Sequence, residues 1–255
     1  MSGIDLFLLE GKVALVTGGS KGLGRSMALA LASAGADVSV SSRHLEDVEE
    51  VAKEIRTTGR RSIALQANMA KPVEITELVR RVIGEFGRID IVVNSAGVGI
   101  ARPATEITDK EWDLVLNVNL KGCLLCSKAV APGMIERGYG RIINMGSVVS
   151  SVGTMHLAPY CASKHALLGL SRTLALEWAG TGITVNCICP GFFETAMTEP
   201  LRANPMYFEG AMALTPMKRM GRPEELDTTV IFLASPASSF VTGTAVFIDG
   251  GYTAQ

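Results

Sequence analysis

The sequence has almost no net charge and no long apolar run. Its 255 residues contain 24 lysines and arginines against 25 aspartates and glutamates, a net charge of −1, which gives no indication of a nucleic-acid partner. No stretch approaches the roughly 20 apolar residues that a membrane-spanning helix needs. The opening "MSGIDLFLLEGK" lacks a basic segment and has only a short apolar run. We therefore expect no secretory signal peptide, no membrane span and a cytoplasmic protein.

Cysteine is scarce as well, with five residues in the chain. Cys123 and Cys126 form a C-x-x-C pair, a spacing found in redox and metal sites. They lie in a helical stretch, however, and no second Cys/His pair occurs at metal-ligand spacing. We expect no metal site, and we interpret all five cysteines as buried, reduced thiols.

What the sequence does contain is a regular alternation of short β-branched runs and helical patterns. We predict strands at 12–17, 37–42, 62–67, 89–94, 140–145, 183–188 and 244–249. We predict helices at 22–34, 44–57, 72–86, 109–119, 120–137, 158–179 and 223–234, of which 109–119 and 120–137 are either separate or continuous. This alternation predicts an α/β fold in which residues 1–255 form a single domain, a three-layer sandwich around a seven-stranded, parallel, doubly wound sheet. The segment 190–222 is rich in Met, Phe, Pro and Gly, lacks periodicity, and is predicted to be a mobile lid on the substrate side.

Small and polar residues follow six of the predicted strands. In chain order they are "TGGSKGLG", "SSRH", Asn68, "NSAG", Ser147 and "PGFFET". Because ligands bind beyond the carboxyl ends of the strands in open parallel sheets, these residues predict a binding site along one sheet edge.

The first of these turns is a glycine-rich loop, with glycines at 18, 22 and 24. Glycines let the backbone approach a pyrophosphate, and the N-terminus of the following helix supplies positive potential. Such a turn is a weak signal alone, but its place between the first strand and the first helix strengthens it. Its spacing, G-x-x-x-G-x-G, differs from the usual dinucleotide pattern G-x-G-x-x-G.

The stretch "PYCASKHA" places Tyr160 four residues before Lys164 in a predicted helix. Residues at i and i+4 share a helix face, and a nearby ammonium favours the ionised phenolate. The pair therefore indicates acid–base chemistry, although Tyr-x-x-x-Lys is common by chance and a solvated surface pair is the alternative.

Together with Ser147, 13 residues before Tyr160, and the glycine loop, these motifs give a specific pattern. Over nearly its whole length the chain resembles the short-chain dehydrogenases/reductases, through "TGGSKGLG", "NSAG", Ser147, "YCASK" and "PGFFET". The resemblance implies a Rossmann-type domain and hydride transfer with a nicotinamide cofactor.

By this resemblance, the catalytic residues are Asn119, Ser147, Tyr160 and Lys164. Tyr160 exchanges a proton with the substrate oxygen, and Ser147 hydrogen-bonds the same oxygen. Asn119 supports a water-linked proton path to Lys164. His156, between Ser147 and Tyr160 in the sequence, either lines the substrate pocket or is solvated.

The resemblance also implies a set of cofactor-binding residues. They are Gly18, Ser20, Lys21, Gly22, Leu23, Gly24, Ser42, Arg43, Asn68, Met69, Asn94, Ala96, Gly97, Tyr160, Lys164, Pro190, Gly191 and Thr195. An NAD site needs an acidic residue after the second strand, whereas this chain has Ser42 and Arg43 there. Since arginine can hold a 2′-phosphate and Lys21 could reach the same group, we expect NADP(H). Asn68 stands where the family usually has aspartate, and its amide can still bond the adenine amino group.

Two subgroups of the family are similar to this chain. The stretches "PGFFETAMTEPL", "TPMKRMGRPEEL" and "VFIDGGYTA" resemble gluconate 5-dehydrogenases and imply a sugar-acid substrate such as 5-ketogluconate. "GRIINMGSVVS" and "GITVN" resemble 3-oxoacyl carrier-protein reductases, whose exposed docking arginines are matched by Arg141, whereas Thr181 stands in place of another.

Two further expectations concern catalysis and assembly. A relative that only senses the cofactor would have a broken Ser–Tyr–Lys set, and the set is intact here. The family pairs subunits through its long helices and C-terminal strands, which implies a homotetramer. The apolar faces of 112–130 and 158–178 agree with such an assembly.

Overall fold

The computed structural model describes residues 3–254, whose strands form one sheet in the order β3-β2-β1-β4-β5-β6-β7. All neighbouring strands are parallel. The strands are β1 (Val13–Thr17), β2 (Asp37–Ser42), β3 (Ser62–Gln66), β4 (Ile91–Asn94), β5 (Gly140–Met145), β6 (Ile183–Pro190) and β7 (Ala245–Ile248). The predicted seven-stranded, parallel, doubly wound sheet is confirmed.

Helices cover both faces of this sheet. They are α1 (Gly22–Ser33), α2 (Leu45–Thr57), α3 (Pro72–Phe86), α4 (Asp109–Leu116), α5 (Gly122–Arg137), α6 (Ala158–Trp178), α7 (Glu199–Arg202), α8 (Pro205–Ala213) and α9 (Asp227–Ala234). Helices α1, α2 and α9 pack in one hydrophobic cluster and α3, α5 and α6 in another. The three layers are therefore helices, sheet and helices.

The burial of both sheet faces explains why the strands read as continuous apolar runs. In β1, Ala14 and Val16 belong to the core with α1, while Val13 and Leu15 belong to the core with α3. Successive side chains of a strand point to opposite faces, so β1 places apolar side chains in both cores.

The order of the strands reverses beside β1, which pairs with both β2 and β4. A crevice forms at such a switch point beyond the carboxyl ends of the strands. Here the loops after β1 and β4 touch: a Cβ added at Gly18 would lie 2.7 Å from the Ala96 Cα. This contact fixes the glycine-rich loop against the "NSAG" turn.

The helices at 109–137 run continuously, with a π-helical turn at Asn117–Lys121 between α4 and α5. Within residues 3–254, this run is the one helix that is long and apolar enough to cross a membrane, and half of its most apolar window is buried inside the fold. A helix in the core of a folded protein can also be this long and apolar. The burial of half of this window favours a core helix over a membrane span.

The lid segment 190–222 is more regular than predicted. It contains the end of β6 and the short helices α7 and α8. Asn204 begins α8 by accepting hydrogen bonds from the backbone N–H groups of Met206 and Tyr207, and Pro205 occupies the first turn. Helices of four and nine residues are too short to give a periodic pattern, so the sequence did not reveal them.

The cysteines of the C-x-x-C pair are buried in α5. Burial raises the pKa of Cys123 to about 11 and that of Cys126 to about 12, so both are neutral thiols at physiological pH. Cys187 and Cys189 are buried too, but Cys161 is half-buried. The expectation of burial is wrong for Cys161, which lies in the first turn of α6 and is not among the buried residues of that helix.

Candidate active site

Tyr160 and Lys164 lie in the first two turns of α6. The Lys164 side chain is buried, with its Nζ donating to the Met145 carbonyl oxygen at 2.6 Å. The same Nζ lies 5.4 Å from the centroid of the Tyr160 ring. The end of β5 thus holds the ammonium beside the phenol, as the i, i+4 spacing predicted.

Ser147 directly follows β5 and caps a short 3₁₀ turn. Its Oγ accepts from the Val149 N–H at 3.3 Å. Its own N–H donates to Ser150 Oγ at 3.1 Å. Because the Ser147 hydroxyl serves as an acceptor within the turn, its hydrogen is free to bond a substrate oxygen.

Asn119 is fully buried in the π-helical turn. Its Oδ1 accepts from the Val98 N–H at 2.8 Å, and its Nδ2 donates to the Val98 carbonyl at 2.9 Å and to Ser163 Oγ at 3.1 Å. Ser163 Oγ in turn donates to the Tyr160 carbonyl at 2.7 Å. The Asn119 amide therefore ties the loop after β4 to the first turn of α6.

Two glycines of that loop pass close to the side chains that the sequence predicts to be catalytic. A Cβ added at Gly97 would lie 3.5 Å from Asn119 Oδ1 and 3.8 Å from Lys164 Nζ. One added at Gly99 would lie 3.6 Å from a carbon of the Tyr160 ring. Backbone, rather than side chains, therefore borders the site on this side.

The glycine loop has the features of a phosphate cradle. Gly18 has φ 67°, and a Cβ added at Gly24 would collide with the Gly18 carbonyl oxygen. Helix α1 begins at Gly22 without a side-chain cap from Lys21. Its first N–H groups are thus free of a side-chain cap and can bind a phosphate, which fits a dinucleotide. Two other predicted residues of this loop, Ser20 and Leu23, are half-buried.

Lys21 and Arg43 are exposed, and neither side chain makes a hydrogen bond or ion pair within residues 3–254. The turn that presents Arg43 is fixed by Ser42, whose Oγ donates to the His44 carbonyl at 2.7 Å. The Arg43 carbonyl accepts from Gln66 Nε2 at 2.9 Å. Two unpaired cations thus remain at the rim of the cleft.

The residues after β3 are held within their own turn. Asn68 Oδ1 accepts from the Ala70 N–H at 3.0 Å, and the Asn68 N–H donates to Glu74 Oε2 at 2.8 Å. Met69 is buried in the core, and a Cβ added at Gly122 would lie 2.6 Å from its carbonyl oxygen. The Met69 side chain therefore points away from solvent, and its carbonyl oxygen packs against α5.

Asn94 lies at the end of β4 and is buried. Its Nδ2 donates to Asn144 Oδ1 at 2.8 Å and to Ser127 Oγ at 3.2 Å, and Asn144 Nδ2 donates to Ser171 Oγ at 2.8 Å. This polar network joins β4, β5, α5 and α6 beneath the site. The sequence analysis did not identify Ser127, Asn144 and Ser171 as part of this network. The asparagine within "GRIINM" was a sign of a polar position in a buried strand.

The start of the lid segment reaches over the glycine loop. A Cβ added at Gly22 would lie 3.2 Å from Thr195 Cγ2. Pro190 ends β6, and a Cβ at Gly191 would lie 2.7 Å from the Asp249 Cα. Thr195 is therefore placed at the mouth of the cleft, opposite the N-terminus of α1.

Arg141 is not the exposed docking residue that the sequence suggested. It is 4% exposed and donates to the carbonyls of Gly182 and Ser235, each at 3.3 Å, while its guanidinium lies 4.4 Å from the Tyr139 ring centroid. Since it belongs to the start of β5, it lies at the sheet edge opposite Ser147. The expectation was wrong because Arg141 lies at the start of β5, whereas the candidate site lies at the end where the strand finishes.

His156 lies in the turn just before α6 and is exposed. Its carbonyl accepts from the Arg102 N–H at 2.8 Å, and the Arg102 Nε lies 2.7 Å from Glu111 Oε1. The segment before α6 is thereby joined to the loop that carries Gly99.

Comparisons with known proteins agree with this arrangement. Residues 18–253 match the model of a family described as enoyl-(acyl carrier protein) reductase. The chain is 40% identical over 253 residues to a 2-dehydro-3-deoxy-D-gluconate 5-dehydrogenase of Dickeya dadantii, covering 99% of each. It is 39% identical over 241 residues to a 3-oxoacyl-[acyl-carrier-protein] reductase of Staphylococcus epidermidis, covering 94% of this chain and 98% of the relative. The crystal structure of a gluconate 5-dehydrogenase from Burkholderia cenocepacia J2315, in complex with NADP and tartrate, superposes with a TM-score of 0.96 at 35% identity over 100% of both chains.

Proposed function

The chain belongs to the short-chain dehydrogenase/reductase family, and we propose that it is an NADP(H)-dependent enzyme that interconverts a ketone and a secondary alcohol of a sugar acid such as 5-ketogluconate. The observation that carries the proposal is the position of the Lys164 ammonium, 5.4 Å from the Tyr160 ring at the carboxyl edge of the sheet. A phenol beside a buried ammonium is suited to proton exchange with an oxygen.

The proposed mechanism assigns the proton to Tyr160. When bound, the nicotinamide cofactor supplies or accepts the hydride at the reacting carbon. The Tyr160 phenol gives its proton to the carbonyl oxygen during reduction and takes it back during oxidation. The Ser147 hydroxyl donates a hydrogen bond to the same oxygen, while its Oγ accepts from the Val149 N–H. Lys164 stabilises the phenolate that remains.

In this mechanism Asn119 positions the groups around the reacting atoms. Its three hydrogen bonds to Val98 and Ser163 hold the loop after β4 and the first turn of α6 at a fixed separation. Tyr160 is fixed through Ser163 in the same way. A water-linked proton path from this region to Lys164 is part of the proposal.

The preference for NADP(H) is proposed from charge. Lys21 and Arg43 are both unpaired cations within the described residues, and β2 is followed by Ser42 instead of a carboxylate. A carboxylate at that position would repel a 2′-phosphate, whereas a guanidinium can bind it with paired hydrogen bonds. The solved relative in complex with NADP supports the same cofactor.

The sugar-acid substrate is supported by two relatives that act on, or were solved with, hydroxylated acids. The 3-oxoacyl carrier-protein reductase is the alternative, supported by 39% identity to the Staphylococcus epidermidis relative. The burial of Arg141 removes one of the residues that favoured carrier-protein docking. A catalytically silent NADPH sensor is the remote alternative, and the assembled Ser147, Tyr160 and Lys164 give it no support.

A panel of carbonyl substrates tests the proposal. NADPH oxidation would be followed with 5-ketogluconate, an acetoacetyl thioester and 2,3-butanedione side by side. We expect the highest kcat/KM with 5-ketogluconate. A higher value with the thioester would favour the alternative, and tight NADPH binding without turnover of any carbonyl would favour the sensor.

We also propose a cytoplasmic homotetramer. Helices α4, α5 and α6 leave large apolar side chains exposed, among them Trp112, Leu124 and Leu176. Exposed apolar surface of this kind is expected at a subunit interface. The cytoplasmic location is supported by the five cysteines, all of them outside disulfides, which is the usual state in a reducing compartment.

A further inference from the structure

His156 has a backbone conformation that an L-residue seldom adopts. Its φ is 65°, and among residues 3–254 only one other non-glycine residue, Lys218 (φ 55°), has a positive φ. The left-handed region brings Cβ close to the following carbonyl oxygen and is therefore strained for residues other than glycine. Strain of this kind is concentrated at functional sites.

The side chain of His156 has no polar partner in the rest of the described chain. Its imidazole makes no hydrogen bond or ion pair with any of residues 3–254. Lys218 differs, because its ammonium donates to the Ala213 carbonyl at 2.8 Å. The backbone of His156 is anchored by the Arg102 N–H at 2.8 Å, so a strained residue presents a free imidazole to solvent.

His156 lies where the two loops that border the active site meet, because its carbonyl accepts from the Arg102 N–H. One loop leads from Ser147 to Tyr160 and contains His156. The other contains Gly99, against the Tyr160 ring, and Arg102, whose guanidinium is engaged by Glu111 at 2.7 Å. Glu111 already pairs the nearby cation, whereas the exposed His156 side chain has no polar partner among residues 3–254 and can bind a ligand.

We infer that His156 is a specificity-determining residue that donates a hydrogen bond from its imidazole to the carboxylate of a keto-acid substrate. The reacting oxygen of the same substrate lies at Ser147 and Tyr160. The inference rests on the proposed function and adds the residue that recognises the acid end. The hydrogen bond from the Arg102 N–H to the His156 carbonyl helps to hold this strained backbone in place.

Two substitutions separate the imidazole from the backbone. His156→Ala and His156→Gly both remove the imidazole, but only glycine adopts φ 65° without strain. We expect both variants to raise the KM for 5-ketogluconate by about tenfold or more, as for a lost hydrogen bond to a charged group. The Gly variant should have the higher Tm of the two. For 2,3-butanedione, which has no carboxylate, the KM and kcat should stay at their wild-type values.

Two further variants complete the design. His156→Asn tolerates the left-handed conformation and keeps an N–H donor, so it should restore part of the affinity for 5-ketogluconate. His165→Ala removes an exposed histidine of α6 whose Nδ1 lies 3.0 Å from the Cys161 carbonyl, and it should leave both KM values unchanged.

The outcomes that would overturn the inference are distinct. An active wild type whose Ala and Gly variants keep the KM for 5-ketogluconate refutes the role of His156 and leaves the proposed function standing. An equal rise of KM for 2,3-butanedione also refutes it, since it shows a general effect of the loop. A wild type that reduces 2,3-butanedione but not 5-ketogluconate refutes the sugar-acid substrate and the inference together. A wild type that reduces neither carbonyl refutes the proposed function as well.

Discussion

At the scale of single residues, the Tyr160 hydroxyl is the group on which the proposed chemistry depends. Tyr160→Phe keeps the ring against Gly99 and removes the proton donor. We expect kcat to fall by about 100-fold or more, the usual contribution of general acid–base catalysis. NADPH affinity, measured by fluorescence titration, should change little. A variant with near-normal kcat would show that another group transfers the proton.

We expect Arg43 to bind the 2′-phosphate of the cofactor, together with Lys21. Charge-assisted hydrogen bonds contribute about 1.5–3 kcal/mol each before screening by salt. Arg43→Ala should therefore lower kcat/KM for NADPH, and Arg43→Asp should lower it much further because repulsion is added. NADH use should fall little in either variant.

The measurement is kcat/KM for both cofactors in the wild type and the two variants, repeated at low and high salt. Salt should narrow the preference for NADPH, because both cations are exposed. Equal wild-type values for NADH and NADPH, or an Arg43→Ala variant that keeps the preference, would show that Arg43 does not bind the phosphate.

The sequence predicted the placement of individual residues well where a motif and a strand end coincided, and their roles stay predictions. Ser147, Tyr160 and Lys164 follow from spacing, and the structure brings them to one edge of the sheet. Asn94 and Arg141 were harder, because the sequence places them in a strand but does not show what packs against them. Asn94 bonds Asn144 and Ser127 beneath the cleft, and Arg141 lies at the opposite sheet edge.

At the scale of elements, the start of α1 depends on the close approach of two glycines. A Cβ at Gly24 would collide with the Gly18 carbonyl, and neither backbone segment can move without disturbing the phosphate cradle. We expect Gly24→Ala to lower the Tm and to weaken NADPH binding by at least about tenfold. Thermal unfolding with and without NADPH measures both effects.

Gly84 in α3 is the matched control for that substitution. It is a helical glycine, and a Cβ there would meet nothing within 4 Å. Gly84→Ala should therefore stabilise the protein by about 0.5–1 kcal/mol, the usual difference between alanine and glycine in a helix. If both alanine variants had the same stability, the collision at Gly24 would not be the reason for its glycine.

The elements also show where sequence patterns fail. Long helices such as α3 and α6 were predicted within a few residues, because their apolar periodicity or length is clear. The short helices α7 and α8 in 190–222 were not, since the start of α8 depends on local capping by Asn204 and the packing of both on a small cluster around Met212 and Met220. Neither feature repeats along the sequence.

At the scale of the whole molecule, the alternation of strands and helices was enough to predict the sheet, because right-handed crossovers restrict how parallel strands can connect. The switch point beside β1 then placed the loops after β1 and β4 together. The alternation could not show which faces of the helices stay uncovered after packing on the sheet. Those faces depend on how the helices pack in three dimensions.

Those uncovered faces lead to the prediction of assembly. Leu176 of α6 is 82% exposed, and Trp112 and Leu124 are exposed on the neighbouring α4 and α5. We expect the protein to be a homotetramer by light scattering at micromolar concentration, because burial of such side chains between subunits contributes about 25 cal/mol per Å² of apolar area. Leu176→Glu places a charge on this face and should shift the protein towards smaller species.

Val73→Glu is the control for Leu176→Glu. Val73 is 81% exposed but lies on a different helix, in the first turn of α3, where a glutamate also suits the positive end of the helix. This variant should keep the wild-type mass. A monomeric wild type would refute the tetramer. A tetramer that tolerates Leu176→Glu as well as Val73→Glu would show that its subunits meet through a surface other than α6.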